Sequence, residues 1–148
     1  MIARTLLLLA LSGLTLSACE RIDPNSPLGQ RKALYQQMLK TSEDLGGMLR
    51  GRLSFDEQRF AAGAVQLDTL SRQPWQHYPA VREEHSKARD DVWQRQERFS
   101  ELARDLEAST AALVEASRVA PLRARELVAP VARVEQACKA CHEEFRVY

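Results

Sequence analysis

Ala137-Cys138-Lys139-Ala140-Cys141-His142-Glu143-Glu144-Phe145-Arg146 stands just ahead of the C-terminal Val147-Tyr148. At its centre is C-x-x-C-H, the attachment sequence of a c-type haem. The chemistry accounts for the residue types. Two thiols add across the vinyl groups of the haem and give thioethers that do not dissociate. The adjacent imidazole supplies one axial bond to iron, and its neutral form is the ligating one. Positions 138 and 141 are i,i+3 and positions 138 and 142 are i,i+4, so on a helix the three side chains share a face. Cys138 and Cys141 are therefore expected to carry one covalent haem c, with His142 as proximal iron ligand. A redox dithiol would want a strand–helix pattern that is not seen here. A zinc site would need further ligands, and only Cys19, His77 and His85 remain.

Upstream of this motif the chain reads as helices. The last spans about 122 to 146, with Leu127, Val131, Val134, Cys138, Cys141, His142 and Phe145 on its inner face. Pro130 is expected to kink it or to mark its true start, since proline removes a hydrogen bond and clashes with the carbonyl near Glu126. The third helix begins between Val81 and Arg89 and ends before Pro121, carrying Trp93, Gln96, Phe99, Leu102, Ala103, Leu106, Thr110 and Leu113. Gln73-Pro74-Trp75-Gln76-His77-Tyr78-Pro79 is a structured loop. The second helix opens on a capping box, Ser54 to Glu57, and runs to about Ser71. It buries Phe60, Val65 or Ala64, Leu67 and Leu70. The first helix runs from about Leu28 to Arg50 with Leu34, Met38, Leu45 and Leu49 on one stripe. Gly46-Gly47 weakens it, so something is expected to approach the backbone there. With no strand alternation and short connections, residues 28–148 predict an all-α antiparallel four-helix bundle.

The N-terminus reads as a targeting segment. Arg4 precedes an apolar run from Thr5 to Leu16, too short to span a membrane comfortably. Leu16-Ser17-Ala18-Cys19 resembles the lipobox of bacterial lipoproteins. The expectation is a signal peptide over 1–18, a diacylglycerol on Cys19, and a lipidated tether over 19–27. A plain secretory signal would leave a third thiol free in an oxidising compartment. Glu20, where family knowledge puts Asp for inner-membrane retention, favours the outer membrane. Removing residues 1–18 takes away Arg4 and no acid, leaving 20 Lys and Arg against 20 Asp and Glu. That balance argues against nucleic acid as a partner.

Taken together, these segments resemble the cytochrome c-prime and cytochrome c556 family, the class II c-type cytochromes. The resemblance rests on residues 137–146, on Leu70-Ser71-Arg72-Gln73-Pro74-Trp75, on Trp93 and Phe99, and on Leu45-Gly46-Gly47-Met48. It covers nearly all of 28–148. The short connection before the third helix and the lipid anchor depart from it. It implies a bundle with the haem near the end of the last helix. It also implies that one position of the first helix, facing the haem, decides the function. An apolar residue there leaves iron five-coordinate and open to nitric oxide or carbon monoxide; methionine there makes a six-coordinate electron carrier. Counting back from Gly46 and Met48, that position is Met38. Periodicity alone makes Met38 core; the resemblance makes it the distal iron ligand. Met48, about three turns on at ~1.5 Å per residue, is core.

The resemblance further places Arg146 near the proximal side of the haem, where it would tune the iron charge or contact a propionate; the other reading is a solvated terminal arginine. Arg31 and Lys32 are propionate candidates or plain surface charges, Trp75 a loop anchor in the core or a neighbour of the haem edge, and His77 and His85 solvent-facing or structural. The expected function is a membrane-anchored, periplasm-facing cytochrome passing single electrons to a redox partner protein, with a homodimer through the first two helices also implied. The alternative is a five-coordinate cytochrome that binds nitric oxide or carbon monoxide. A third reading is a haemless lipoprotein of the envelope. No acid/base or nucleophile constellation suggests an enzyme.

Overall fold

The computed structural model describes residues 22–148. Cys19, the 1–18 segment and residues 20 and 21 of the 19–27 tether lie outside the described residues.

The first helix, α1 (Pro27–Leu49), starts on a formed cap. Ser26 has extended backbone, its Oγ accepts from the Gly29 amide at 3.0 Å, and Pro27 takes the first helical position, where its missing N–H costs nothing. Pro27 thus opens the helix. The turn before it is tight enough to require Gly29: a Cβ there would lie 2.1 Å from the Asp23 carbonyl oxygen. At the other end, Gly46 and Gly47 are both buried. The neighbours there are side chains of the returning chain, Arg50 against Gly46 and Leu53 against Gly47.

In α2 (Glu57–Ser71) the cap is Asp56, not Ser54. Asp56 is the extended residue, and its carboxylate accepts from the Arg59 amide at 2.8 Å. Asp caps as well as Ser, and the choice shifts the helix start by two residues. Glu57 is then no longer at N3. Its carboxylate instead accepts from the Leu122 amide at 2.9 Å, across the bundle. Of the two candidates at the core position, Ala64 is buried and Val65 is exposed.

The Pro-rich stretch forms a single 3-10 turn, Pro74–His77, packed on α1. No helix begins between 81 and 89. His85 has φ 62, the left-handed region that a right-handed helix excludes, and Ala88 pairs antiparallel with Arg146. A short helix, α3 (Asp91–Gln94), precedes the long α4 (Gln96–Ala116), and Arg95 at φ -122, ψ 47 separates them. Val92, rather than Trp93, is the buried residue of α3. The last helix, α5 (Ala124–Phe145), runs through Pro130 without restarting there. Pro130 is buried, and the cost of its missing N–H falls near the start of the helix.

Helix α1 packs on α2 and α5, and α4 packs on α2 and α5. This closes the four long helices into an all-α antiparallel bundle. Its core runs through Leu45, Phe60, Ala64, Leu113, Leu127 and Val134. At one end a second cluster of Val92, Phe99, Leu102 and Phe145 gathers Trp75, Tyr78 and Trp93 around it.

Candidate functional site

Cys138, Cys141 and His142 emerge from one face of α5, each half-buried. The two cysteines are not joined in a disulfide. They stand on the seam between the two clusters: Cys138 packs against the main core and Cys141 against the aromatic one. Burial, reinforced by Glu135, pushes the Cys138 thiol up to about 11. Burial, with Cys138 and Glu144 adding, pushes Cys141 up to about 11 as well. A redox dithiol needs the opposite shift, toward thiolate. Among the described residues no three His, Cys, Asp or Glu side chains gather as a metal-binding group. A zinc reading of the pair therefore lacks its remaining ligands.

His142 is held below its ordinary value, first by burial and then by the nearby Arg146 charge. That keeps the imidazole neutral, the form that bonds a metal. Arg146 itself is exposed, and its guanidinium lies over the Tyr148 ring at 5.5 Å. Its backbone caps α5 through a bond to the His142 carbonyl at 3.1 Å. The tail beyond is tied down, with the Val147 amide on the Lys87 carbonyl at 2.8 Å and the Arg89 amide on the Phe145 carbonyl at 2.9 Å.

Across from α5, Met38 is buried in the cluster against which Cys138 packs, a cluster that also takes in Leu127, Val131 and Val134 of α5. Met48 belongs to the same core. One face of α1 therefore presents Arg31, Tyr35 and Met38, at i, i+4 and i+7, toward the interior. The aromatic side is continuous: Trp75–Phe99 at 5.7 Å, Tyr78–Phe99 at 5.0 Å and Phe99–Phe145 at 5.3 Å, all edge-on. Trp75 anchors its loop, its Nε1 donating to Glu107 at 2.8 Å. His77 is half-buried and offers its carbonyl to Arg31; His85 is exposed in its left-handed turn. Lys32 is exposed. Arg31 is not a solvated cation but 3% exposed and paired with Glu83 at 2.7 Å.

Sequence reasoning passed over Tyr35, Tyr78 and Glu83. The signal for Tyr35 was present, because it shares the helical stripe of Met38. The other two sit on an irregular segment with no period to read. The hydroxyls of Tyr35 and Tyr78 meet at 3.1 Å. Burial holds Tyr35 well above the usual phenol range, and burial also raises Tyr78. Above about pH 10 the unfolded chain loses phenolic protons that the native chain keeps. Stability present below that pH is therefore lost as pH rises toward the raised native value. The urea midpoint should fall more steeply above about pH 10 in the parent than in Tyr35→Phe.

The donor set fits a covalent haem c: two thiols and a neutral imidazole on one helical face, bordered by aliphatic and aromatic surface. Comparison with known proteins supports the same cofactor. The family model described as Cytochrome C' matches residues 26–146. A curated cytochrome c' of Rhodopseudomonas palustris (strain ATCC BAA-98 / CGA009) is 27% identical over 125 residues, covering 80% of this chain and 80% of the relative. The solved cytochrome c prime of Shewanella frigidimarina superposes with a TM-score of 0.79 at 22% identity, covering 86% of this chain and 99% of that one. A variant of cytochrome c prime from Alcaligenes xylosoxidans, solved as its nitric oxide complex, gives 0.76 at 22% identity over 87% and 99%. Another variant of that protein, solved with carbon monoxide bound, gives 0.76 at 22% over 87% and 100%.

Proposed function

Because the chain belongs to the cytochrome c' family, periplasmic proteins that carry a covalently attached haem c, we propose that it captures a diatomic gas, nitric oxide or carbon monoxide, at a haem held by Cys138, Cys141 and His142. The observation that carries this reading is family membership, joined to the nitric oxide and carbon monoxide complexes of a protein with the same fold. When bound, the haem supplies an iron that takes one small ligand or exchanges one electron. The chain's own residues do the rest. Cys138 and Cys141 hold the group irreversibly on α5. His142 offers a neutral nitrogen because burial and Arg146 disfavour its cation. Met38, Trp75, Tyr78 and Phe99 line the surroundings with groups that exclude water, which strengthens the electrostatic contacts made there.

A specific observation favours a second reading. Met38 is buried in the very cluster that Cys138 packs against, and a thioether is an axial ligand that favours reduced iron. Met38 on the iron would make the chain a six-coordinate electron carrier. The two readings separate in one experiment, the optical spectrum of the ferrous protein with and without carbon monoxide. The expected result is a broad high-spin spectrum that sharpens and shifts with carbon monoxide, and little changed in spin state by Met38→Leu. Sharp low-spin bands indifferent to carbon monoxide, converted to high spin by Met38→Leu, would overturn gas capture in favour of the carrier.

The same reading includes cleavage after residue 18 and acylation of Cys19, so that the bundle works while tethered to a membrane. Several acyl chains would anchor it firmly where one would not. Support comes from the Leu16-Ser17-Ala18-Cys19 sequence alone. Metabolic labelling with a radioactive fatty acid tests it: label on the parent and none on Cys19→Ser is expected, and no label on the parent would remove the anchor.

A further inference from the structure

Arg31 is the most deeply buried charge described in the protein, at 3% exposure. Its guanidinium has partners on every side. It donates to Glu83 Oε2 at 2.7 Å, to Ser86 Oγ at 3.4 Å and to the His77 carbonyl, and it lies over the Tyr78 ring at 4.1 Å. Glu83 is also largely covered, with 19% of its side chain exposed. Its second oxygen, Oε1, is buried with no hydrogen-bond partner. The carboxylate is thus only half satisfied. Replacing such a pair with apolar side chains is often neutral or stabilising, so stability by itself is a poor reason for its presence.

Position offers a better reason. Arg31 stands two turns before Met38 on the inward face of α1. The ring beneath it, Tyr78, bonds Tyr35 and packs against the same aromatic cluster as Cys141. The segment that carries Glu83 is pinned at its far end to the residues after His142, through Ala88 and Arg146. Residues 77–90 therefore join the helix bearing Met38 to the helix end bearing His142. The charges at their centre lie in an interior where water screens them weakly.

We propose that Arg31 and Glu83 are positioning residues for the haem, a compensated charge pair that holds Tyr78 and residues 77–90 against the Cys141 side while presenting it with no net charge. The proposal rests on attachment at Cys138, Cys141 and His142, and it holds whether Met38 or a gas takes the opposite face. Removing either partner strands the other as an unbalanced buried charge. A stranded guanidinium favours the ferrous state, which carries one positive charge less than the ferric. A stranded carboxylate favours the ferric state. The two single variants should therefore move the haem potential in opposite directions.

The test is a spectroelectrochemical titration of the purified haem protein, with thermal melts in parallel. Glu83→Gln is expected to raise the midpoint and Arg31→Gln to lower it. Each changes the ferrous-to-ferric ratio at fixed potential roughly tenfold, about 59 mV for one electron. The double variant should return near the parent, and Ser86→Ala, which removes a neutral partner, should stay there. A purely structural pair would shift both single variants the same way, in step with their lost melting temperature. That result, or no shift in either, overturns the proposal. Should Arg31→Gln fail to accumulate, Glu83→Asp carries the test by keeping the charge. It must stay near the parent while Glu83→Gln rises, and a Glu83→Asp shift equal to that of Glu83→Gln overturns the proposal. Absence of covalently held haem in the parent would instead remove the attachment reading on which the pair's role depends.

Discussion

Replacing Cys138 and Cys141 together by alanine is expected to leave no haem absorbance in the protein after acid-acetone extraction, where the parent keeps its Soret band in full. The effect is all or none because it removes covalent bonds rather than contacts. The two sulfurs lie one turn apart on α5 and are the described cysteines. Each single variant should retain one thioether and hence an extraction-resistant band, altered by one unsaturated vinyl group. The double variant keeps His142, so any haem it holds rests on one coordinate bond and on burial, and denaturing solvent releases it. If the double variant kept an extraction-resistant band, the attachment reading would fail. Folding should survive the change better than cofactor binding does, since both side chains are only half-buried and stand beside the main core rather than inside it.

Phe60→Ala is expected to be the most damaging single change to the fold. Phe60 is fully buried on α2, with Phe55 against it at 5.7 Å between ring centroids. It belongs to the cluster formed with Leu45, Leu113 and Val134 from the other three long helices. Truncating it removes transfer free energy and leaves a cavity that four helices close only partly. The cost is about 3–5 kcal/mol. Against a total stability of about 5–15 kcal/mol for an ordinary domain, much of the margin goes. Urea denaturation of the haem-bearing protein should show the midpoint falling sharply with an unchanged slope. Val65→Ala on the neighbouring turn points outward, at 53% exposed, and should be nearly silent. Comparable losses in the two variants would mean that Phe60 is not where the bundle closes.

Those two residues also show how far a helical period can be read. The stripe Phe60, Ala64, Leu67, Leu70 was visible in the sequence, but the choice between Ala64 and Val65 was not. Hydropathy favours valine, whereas the close passage of α2 against its neighbours takes the smaller residue. The caps behaved similarly. Ser54 and Asp56 are both good N-cap residues, and the extended backbone at Asp56 decided between them. The start of α4 was misplaced because nothing in residues 81–89 announces a left-handed His85 or a bridge to Arg146, a partner 58 positions away from Ala88.

The amino-acid sequence by itself determined the chemistry of the site and the class of the fold. Cysteine, cysteine and histidine at i, i+3 and i+4 share a face on any helix, and four amphipathic stripes joined by short connections have few ways to bury their apolar sides. Only the tertiary structure decided what surrounds that site. It placed the Cys138 side against the Met38 cluster and the Cys141 side against stacked aromatics. It also buried Arg31 against a carboxylate 52 residues away in sequence. The physical reason is that periodicity reports which way a side chain faces. Whether a charge can be buried depends on a partner that only the folded chain brings within reach.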